Sequence, residues 1–450
     1  MSTRIVRAIA CAFMFGTSIG SAAAAAQTTA AGTQRLTFPD TPVGRVVNEW
    51  LEAWNSGDSA QLSAYYRKHA VDRSMEVQMV RRAATGGYDL VSIEKSQPRL
   101  LEFVVRERKT GNLGFGVIEL NVPGTVGLRQ SFLSAVPPGG SVAAFRIDAA
   151  TRTRVIEAAI ARLDTHYVFP EVAAKMAAAV RARALRGEYE AIDNGLTFAL
   201  TLTEHFREVS RDHHLGVNFS AERIPDRPAN AAPDSAARAR FRRQMETVNC
   251  GFVRAEQLSG NVGYLKFNFF ADPEVCAPTA TAAMNFLANT DALIVDLREN
   301  GGGSPAMVAF VTSYLFAERT HLNDLWTRRT NETREFWTQP DVPGKKLEDD
   351  KPVYVLTSRR TFSGAEEFTY NLKNLKRATI VGETTGGGAH PVSGHKLDDH
   401  FTIGVPFARA INPISKTNWE GTGVEPDVKV PAADALTTAQ RLIAEKRATP

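Results

Sequence analysis

The stretch PVYVLTSRRTFSGAEEFTYNLKNL, residues 352–375, decides the fold of this chain. It begins with the apolar run VYVL, whose β-branched and aromatic residues are typical of a buried strand. It continues with Phe368, Leu372 and Leu375 at helical spacing, so Ser363 lies where a strand gives way to a helix. A serine at that position either caps the helix with its hydroxyl or acts as a nucleophile beside the helix N-terminus.

A second strand-to-helix turn lies upstream, in LIVDLRENGGGS, residues 293–304. Glycines at such a turn let backbone N–H groups approach an anion. We therefore expect Gly301, Gly302 and Gly364 to form an oxyanion hole. The alternative for the glycine run is a tight turn that needs positive φ. No Gly-Lys-Ser/Thr follows the run, which argues against a phosphate-binding loop.

A histidine and a carboxylate complete the candidate site. His214 stands in the motif Asp-x-His, and Glu420 precedes the turn-rich segment 421–427. An imidazole can take the proton of a serine, and a carboxylate can orient the ring. His213 is the alternative base if the register is shifted by one, and Glu420 is alternatively a surface carboxylate. We expect no metal site, because the sequence holds neither His-Glu-x-x-His nor a paired Cys-x-x-Cys.

Taken together, these motifs resemble a family of serine peptidases that includes the C-terminal-processing (tail-specific) proteases and the tricorn core protease. Within that family, the chain resembles the branch of interphotoreceptor retinoid-binding protein. The matching motifs are DxH at 212–214, VDLRxNxGG at 295–303, TSxxTxSxxE at 357–366, VGExTxG at 381–387 and GVxPD at 423–427. The resemblance implies an α/β catalytic core with the Clp/crotonase-like spiral fold, a peptide or protein substrate and no cofactor.

The family uses two designs for the base, and the resemblance selects one of them. Tail-specific proteases use a lysine, but the matching position here is Gly388. Tricorn-like members use a histidine supported by a late glutamate, which match His214 and Glu420. The predicted catalytic residues are therefore Ser363, His214 and Glu420. Activity should rise through the pKa of a histidine, about 6 to 7.

The N-terminus predicts an exported protein, periplasmic or extracellular. Residues 1–26 combine Arg4 and Arg7 with an apolar stretch and an Ala-x-Ala end, as signal peptides do. Their removal lowers the formal charge from +4 to +2, and no basic cluster indicates a nucleic-acid partner. No other apolar run is long enough for a membrane span. Two cysteines then remain, Cys250 and Cys276, either as a disulfide or as a reduced pair.

The length and the patterning predict several domains. We expect an N-terminal α+β domain over residues 38–138, a helical domain over 151–220 and the catalytic domain over 250–446. Strands and helices alternate in the last range, which predicts a mainly parallel sheet. The prediction is an exported serine peptidase. The alternatives are an esterase that uses the same site, or a non-catalytic binding protein for an apolar ligand on the same fold.

Overall fold

The computed structural model describes residues 36–71, 73–121, 128–226, 235–347 and 349–448. The predicted signal peptide, residues 1–26, lies outside these ranges. From Phe38 onward, the described residues group into one compact unit. Within the same ranges, no helix has both the length and the apolar character that crossing a membrane requires.

The described part of the chain alternates helices with strands. The helices are α1 (Pro42–Ser56), α2 (Ser59–Lys68), α3 (Met75–Thr85), α4 (Ala149–His166), α5 (Pro170–Leu185), α6 (Gly195–Ser210), α7 (Ser235–Thr247), α8 (Pro273–Leu287), α9 (Pro305–Thr312), α10 (Gly364–Asn374) and α11 (Ala435–Ala448). The strands are β1 (Tyr88–Ser96), β2 (Leu100–Glu107), β3 (Leu113–Leu120), β4 (Leu128–Ala135), β5 (Gly216–Phe219), β6 (Phe252–Leu258), β7 (Val262–Phe267), β8 (Ala292–Asp296), β9 (His321–Thr327), β10 (Glu332–Trp337), β11 (Val353–Thr357), β12 (Ala378–Gly382), β13 (Val392–Lys396), β14 (Phe401–Pro406), β15 (Ala408–Ile411) and β16 (Val428–Lys429).

The central sheet carries the site. Its six strands run in the order β16-β12-β11-β8-β7-β6, and only the β6–β7 pair is antiparallel. Helices α8, α9 and α10 cover one face, and α11 covers the other. This arrangement confirms the predicted α/β class with a mainly parallel sheet. Because β8 and β11 are parallel neighbours, the glycine turn after β8 and the serine turn after β11 meet at one edge of the sheet.

Three smaller sheets surround this core. Strands β1–β4 form an antiparallel sheet whose core includes residues of α1 and α2. Strands β13-β14-β5 pack against α4, α5 and α6. Strands β10-β9-β15 form the third sheet. The secondary structure fits the expected α+β content of residues 38–138 and the helices of 151–220. The domain boundaries themselves stay predictions, because the described residues of all three ranges belong to one compact unit.

The two cysteines outside the predicted signal peptide form a disulfide. Cys250 stands just before β6 and Cys276 in the first half of α8, with Cα atoms 5.7 Å apart. Both residues are buried in the core beside the central sheet. Of the two alternatives left open by the sequence, the structure contains the bonded pair.

Candidate active site

Ser363 stands between the end of β11 and the first residue of α10. Its backbone has φ 54° and ψ −121°, a conformation that costs a non-glycine residue about 1–3 kcal/mol. Strand β11 is buried along its whole length and fixes where the turn begins. The Phe362 N–H donates to Asn300 O at 3.0 Å, which ties the serine turn to the loop after β8. The surrounding structure therefore holds a half-buried serine in a strained backbone conformation.

Glu366, in the first turn of α10, holds the serine turn in place. Its Oε2 accepts from the N–H of Ser363 at 2.8 Å and of Gly388 at 2.9 Å. Its Oε1 accepts from the Thr385 hydroxyl at 2.5 Å and from the Gly387 N–H at 2.7 Å. Burial raises the pKa of Glu366 to about 7, although the four donors oppose that shift. This carboxyl group thereby joins the serine turn to the glycine run that follows β12.

His214 lies on the same cavity as Ser363. Asp212 positions it, because Asp212 Oδ1 accepts from the His214 N–H at 3.0 Å. The imidazole packs against the Phe362 ring, with centroids 4.6 Å apart. Burial lowers the pKa of His214 to about 4, so the ring is neutral at neutral pH. Its neighbour His213 is exposed, which favours the predicted register.

Gly388 leaves the space that the rings of His214 and Phe362 occupy. A Cβ atom on this glycine would lie 2.5 Å from Cε1 of His214 and 2.3 Å from Cζ of Phe362. Real Cβ atoms essentially never make contacts below about 3.0 Å, so a side chain here and the His214 ring exclude each other. The space that a side chain at position 388 would need is therefore taken by the rings of His214 and Phe362.

Glu420 belongs to a buried cluster behind this ring. Its Oε2 accepts from the Ala389 N–H at 2.5 Å and lies 3.4 Å from Nδ1 of His390. The same His390 nitrogen lies 2.8 Å from Oδ2 of Asp212. The Tyr167 hydroxyl donates to that Asp212 oxygen at 3.2 Å. One imidazole therefore stands between two carboxylates, in a cluster that a tyrosine closes.

The predicted pair of Glu420 and His214 is not directly joined. Among the described residues, no hydrogen bond connects them, and the link runs through Asp212 and His390. Nδ1 of His214 and Oε1 of Glu420 are both buried and both lack a hydrogen-bond partner. In the tautomer that a general base needs, Nδ1 of His214 carries the hydrogen and is a donor. Oε1 of Glu420 is an acceptor.

The cluster separates the pKa values of its two acids. Burial works to raise the pKa of Asp212, but donation from His390 and from the backbone of His214 outweighs burial and holds it below the usual value. Burial and then the charge of Asp212 raise the pKa of Glu420 to about 7. The ligand atoms of Asp212, His390 and Glu420 lie within 4.8 Å of one another, close enough for a cation. Hydrogen bonding accounts for their contacts without an ion.

Two members of the cluster were missed by the sequence analysis, His390 and Tyr167. His390 follows the glycine run at 386–388 by two residues, and Tyr167 precedes α5. No spacing in the sequence connects either with Asp212, which is 178 positions from His390 and 45 from Tyr167. The available signal was weak: a histidine beside a matched family motif.

Of the three amides predicted for the oxyanion hole, those of Gly301 and Gly302 already have acceptors. The Gly301 N–H donates to a backbone carbonyl at 3.1 Å, and the Gly302 N–H donates to the Asn300 side chain at 2.9 Å. In the described structure, the N–H groups of Gly303 and Gly364 have no acceptor. They are neighbours, since a Cβ on Gly364 would lie 3.0 Å from Gly303 N. The two free amides that lie side by side are therefore those of Gly303 and Gly364, and of the predicted residues Gly364 is one of them.

A cavity of about 560 Å³ opens beside these groups. The serine turn and the first residues of α9 form one side, and the sheet β10-β9-β15 forms another. His214, Ser363, Gly303 and Gly364 all line it. The lining on the side of this sheet and beside it is largely apolar and includes Leu325, Phe336, Phe407, Ala408, Ala410 and Trp419. A nucleophile, a neutral imidazole and two free amides therefore face one largely apolar space.

Comparison with known proteins finds two family models that match the chain. Peptidase family S41 matches residues 261–430, and the N-terminal domain of that family in eukaryotic IRBP matches residues 141–248. These two matches confirm the predicted resemblance to the peptidase family.

Individual relatives are distant. Tricorn protease homolog 2 of Streptomyces coelicolor is 26% identical over 211 residues, which is 46% of this chain and 15% of that protein. Carboxyl-terminal-processing peptidase 2 of the Arabidopsis thaliana chloroplast is 29% identical over 185 residues, 38% of this chain and 32% of that protein. The chain thus matches less than a third of the length of either relative. Among solved structures, a peptidase from Parabacteroides merdae gives a TM-score of 0.46 at 20% identity, covering 65% of this chain and 96% of that one.

Proposed function

We propose that this chain is a serine peptidase whose nucleophile is Ser363. One observation carries the proposal. A strained, half-buried Ser363 opens into the same cavity as the neutral His214 ring and the unpaired amides of Gly303 and Gly364. The match to peptidase family S41 supports peptide or protein substrates.

In the proposed reaction, His214 is the general base. The Ser363 hydroxyl proton passes to His214 as Oγ bonds to the substrate carbonyl carbon. The carbonyl oxygen becomes an oxyanion, which accepts from the Gly303 and Gly364 N–H groups. The protonated imidazole then gives its proton to the leaving amine, and a water molecule repeats the sequence to release the acyl group.

Glu420 has the supporting role in this proposal. A base that accepts through Nε2 carries its own hydrogen on Nδ1, and that nitrogen of His214 is buried without an acceptor. Oε1 of Glu420 is a buried acceptor without a donor. We expect the two to pair, directly or through one polar group, when substrate orders the cavity. The Asp212–His390 contact holds both elements in place until then.

Covalent labelling with a fluorophosphonate tests the nucleophile. The wild type should be labelled on Ser363, and Ser363→Ala should lose labelling and about four to six powers of ten in turnover. Ser304→Ala is the matched control, because Ser304 lines the same cavity and its side chain makes no cap hydrogen bond. His214→Ala should be almost as damaging as Ser363→Ala, and His213→Ala should be mild.

The same experiment separates the alternatives. Labelling of Ser363→Ala at the wild-type rate would refute the assignment of the nucleophile. Absence of labelling in the wild type, together with tight binding of an apolar ligand, would favour a binding protein. Hydrolysis of activated esters without any peptide hydrolysis would favour an esterase.

We also propose that the protein is exported. Residues 1–26 have the pattern of a signal peptide, and the Cys250–Cys276 disulfide suits an oxidising compartment. Expression of the full chain in a bacterial host should give a protein that lacks these residues, is found in the periplasmic fraction and has no free thiol. A full-length protein with two reactive thiols in the cytosol would contradict this.

A further inference from the structure

Glu367 occupies the part of the cavity next to the proposed nucleophile. Its N–H donates to the carbonyl of Ser363 at 2.9 Å, and both residues line the same cavity. Glu367 lines the cavity, yet only 4% of the residue is exposed. The proposed mechanism makes no use of it.

Strand β9 carries a second buried polar group on the side that faces the cavity. Asn323, Leu325 and Thr327 alternate along β9 and therefore face the same way, and the last two line the cavity. Asn323 is fully buried, and its amide lies close enough to Glu367 to act on the pKa of that acid, although neither amide atom makes a geometrically good hydrogen bond to a described residue. Oε1 of Glu367 makes none either. Oε1 of Glu367 thus lies unpaired in the wall of a largely apolar cavity, and Oδ1 of Asn323 is a second unpaired acceptor among the described residues, on the side of β9 that faces this cavity.

The charge of Glu367 is not balanced by the protein. No described lysine, arginine or histidine forms an ion pair with it. Arg334 lines the same cavity but is exposed, with its guanidinium 4.8 Å from the centre of the Phe336 ring. Burial accordingly raises the pKa of Glu367 to about 8, and the Asn323 amide offsets only part of that shift. A buried acid without a cationic partner is costly unless something that enters the cavity supplies the missing donor.

We infer that Glu367 and Asn323 form the end of a substrate subsite that binds a cationic side chain, that of lysine. The inference rests on the proposed function, because the cavity adjoins Ser363 and would receive the side chain next to the scissile carbonyl. The apolar wall formed by Leu325, Phe336 and Ala410 suits the four methylenes of lysine. The ammonium group has three N–H donors for the two unpaired oxygens, and its charge would ionise Glu367 as it binds.

Labelling rates of Ser363 with two matched probes test the inference. The probes are peptidyl diphenyl phosphonates that differ only in the last residue, lysine in one and norleucine in the other. Norleucine keeps the methylene stem and removes the ammonium group. In the wild type, the lysine probe should react at least about tenfold faster, because a site with buried acceptors discriminates against a ligand that lacks the donor. Glu367→Gln should abolish or invert this preference.

Two controls keep the result interpretable. Glu332→Gln removes an exposed acid from β10 and should leave the ratio of the two rates unchanged. A fluorophosphonate without a peptide should still label Glu367→Gln on Ser363, and urea unfolding of this variant should stay cooperative, which shows that the fold and the nucleophile are intact. Equal rates for the two probes in the wild type, or a lysine preference that survives in Glu367→Gln, would overturn the inference. Failure of every probe to label the wild type would instead refute the proposed function, and the inference with it.

Discussion

Replacing Gly388 with alanine tests whether the histidine occupies the space that a side chain at position 388 would need. The new methyl group would lie 2.5 Å from Cε1 of His214 and 2.3 Å from Cζ of Phe362. Carbon atoms in contact lie about 3.5–4.0 Å apart, so the imidazole has to move by about 1 Å. A displacement of that size at a catalytic group costs about a hundredfold in rate. The overpacking itself should cost about 1–3 kcal/mol of the free energy of unfolding.

The assay measures fluorophosphonate labelling and kcat/KM for an activated ester, with urea denaturation to record stability. Gly394→Ala is the matched control, because its Cβ would meet no atom within 4 Å. We expect kcat/KM to fall about a hundredfold in Gly388→Ala and to stay within about twofold of the wild type in the control. If the fall in kcat/KM acts through His214, then His214→Ala should lower kcat/KM much less in the Gly388→Ala background than in the wild type. Activity above half of the wild type in Gly388→Ala would refute the reasoning.

Three further predictions follow from the same geometry. Because burial lowers the pKa of His214 to about 4, kcat/KM should stay constant from neutral pH down to about pH 5. It should fall near pH 4, where the ring becomes protonated. An inflection at pH 6–7 would contradict this and would show that the ring is in contact with water. Glu420→Gln should lower kcat by about two to four powers of ten at unchanged folding, whereas Glu425→Gln, which changes an exposed acid, should not; equal effects of the two variants would contradict the role of Glu420. Reduction of the Cys250–Cys276 disulfide, which closes a 26-residue separation, should lower the free energy of unfolding by about 3.5 kcal/mol in urea titrations; an unchanged midpoint would contradict this.

The serine turn was predictable because local signals agree with one another. The apolar run at 353–356 and the helical pattern after Ser363 place the strand and helix within one residue of β11 and α10. The position of the glycine turn at the end of β8 was predictable, but which of its amides lacks an acceptor was not. Which amide remains free depends on Asn300 and on the pairing of Phe270 with Gly303, and no local pattern encodes that.

The buried polar groups were less predictable, for the same physical reason. His390 matters through its contact with Asp212, and the two meet only because β14, which follows His390, pairs with β5, which follows Asp212. The sequence analysis placed Glu366 and Glu367 at the start of a helix, where acidic residues are common. The motif TSxxTxSxxE singles out Glu366, which accepts four hydrogen bonds, but nothing in the sequence indicates that Oε1 of Glu367 accepts none. The expected histidine pKa of 6 to 7 likewise took no account of the burial of the ring.

The N-terminus of α10 has to stabilise more than one negative charge during the proposed reaction. The helix macrodipole favours anions there, and the oxyanion, Glu366 and Glu367 all lie within its first turn. Glu366 accepts hydrogen bonds from Thr385, Gly387 and Gly388 in the segment after β12. Glu367, with a pKa of about 8, is mostly neutral at pH 7 and leaves the helix terminus to the oxyanion. A lysine side chain that enters the cavity would ionise Glu367 but bring the compensating charge with it. Substrate binding would then add no net charge beside the developing oxyanion, whereas an acidic side chain in the same subsite would oppose it.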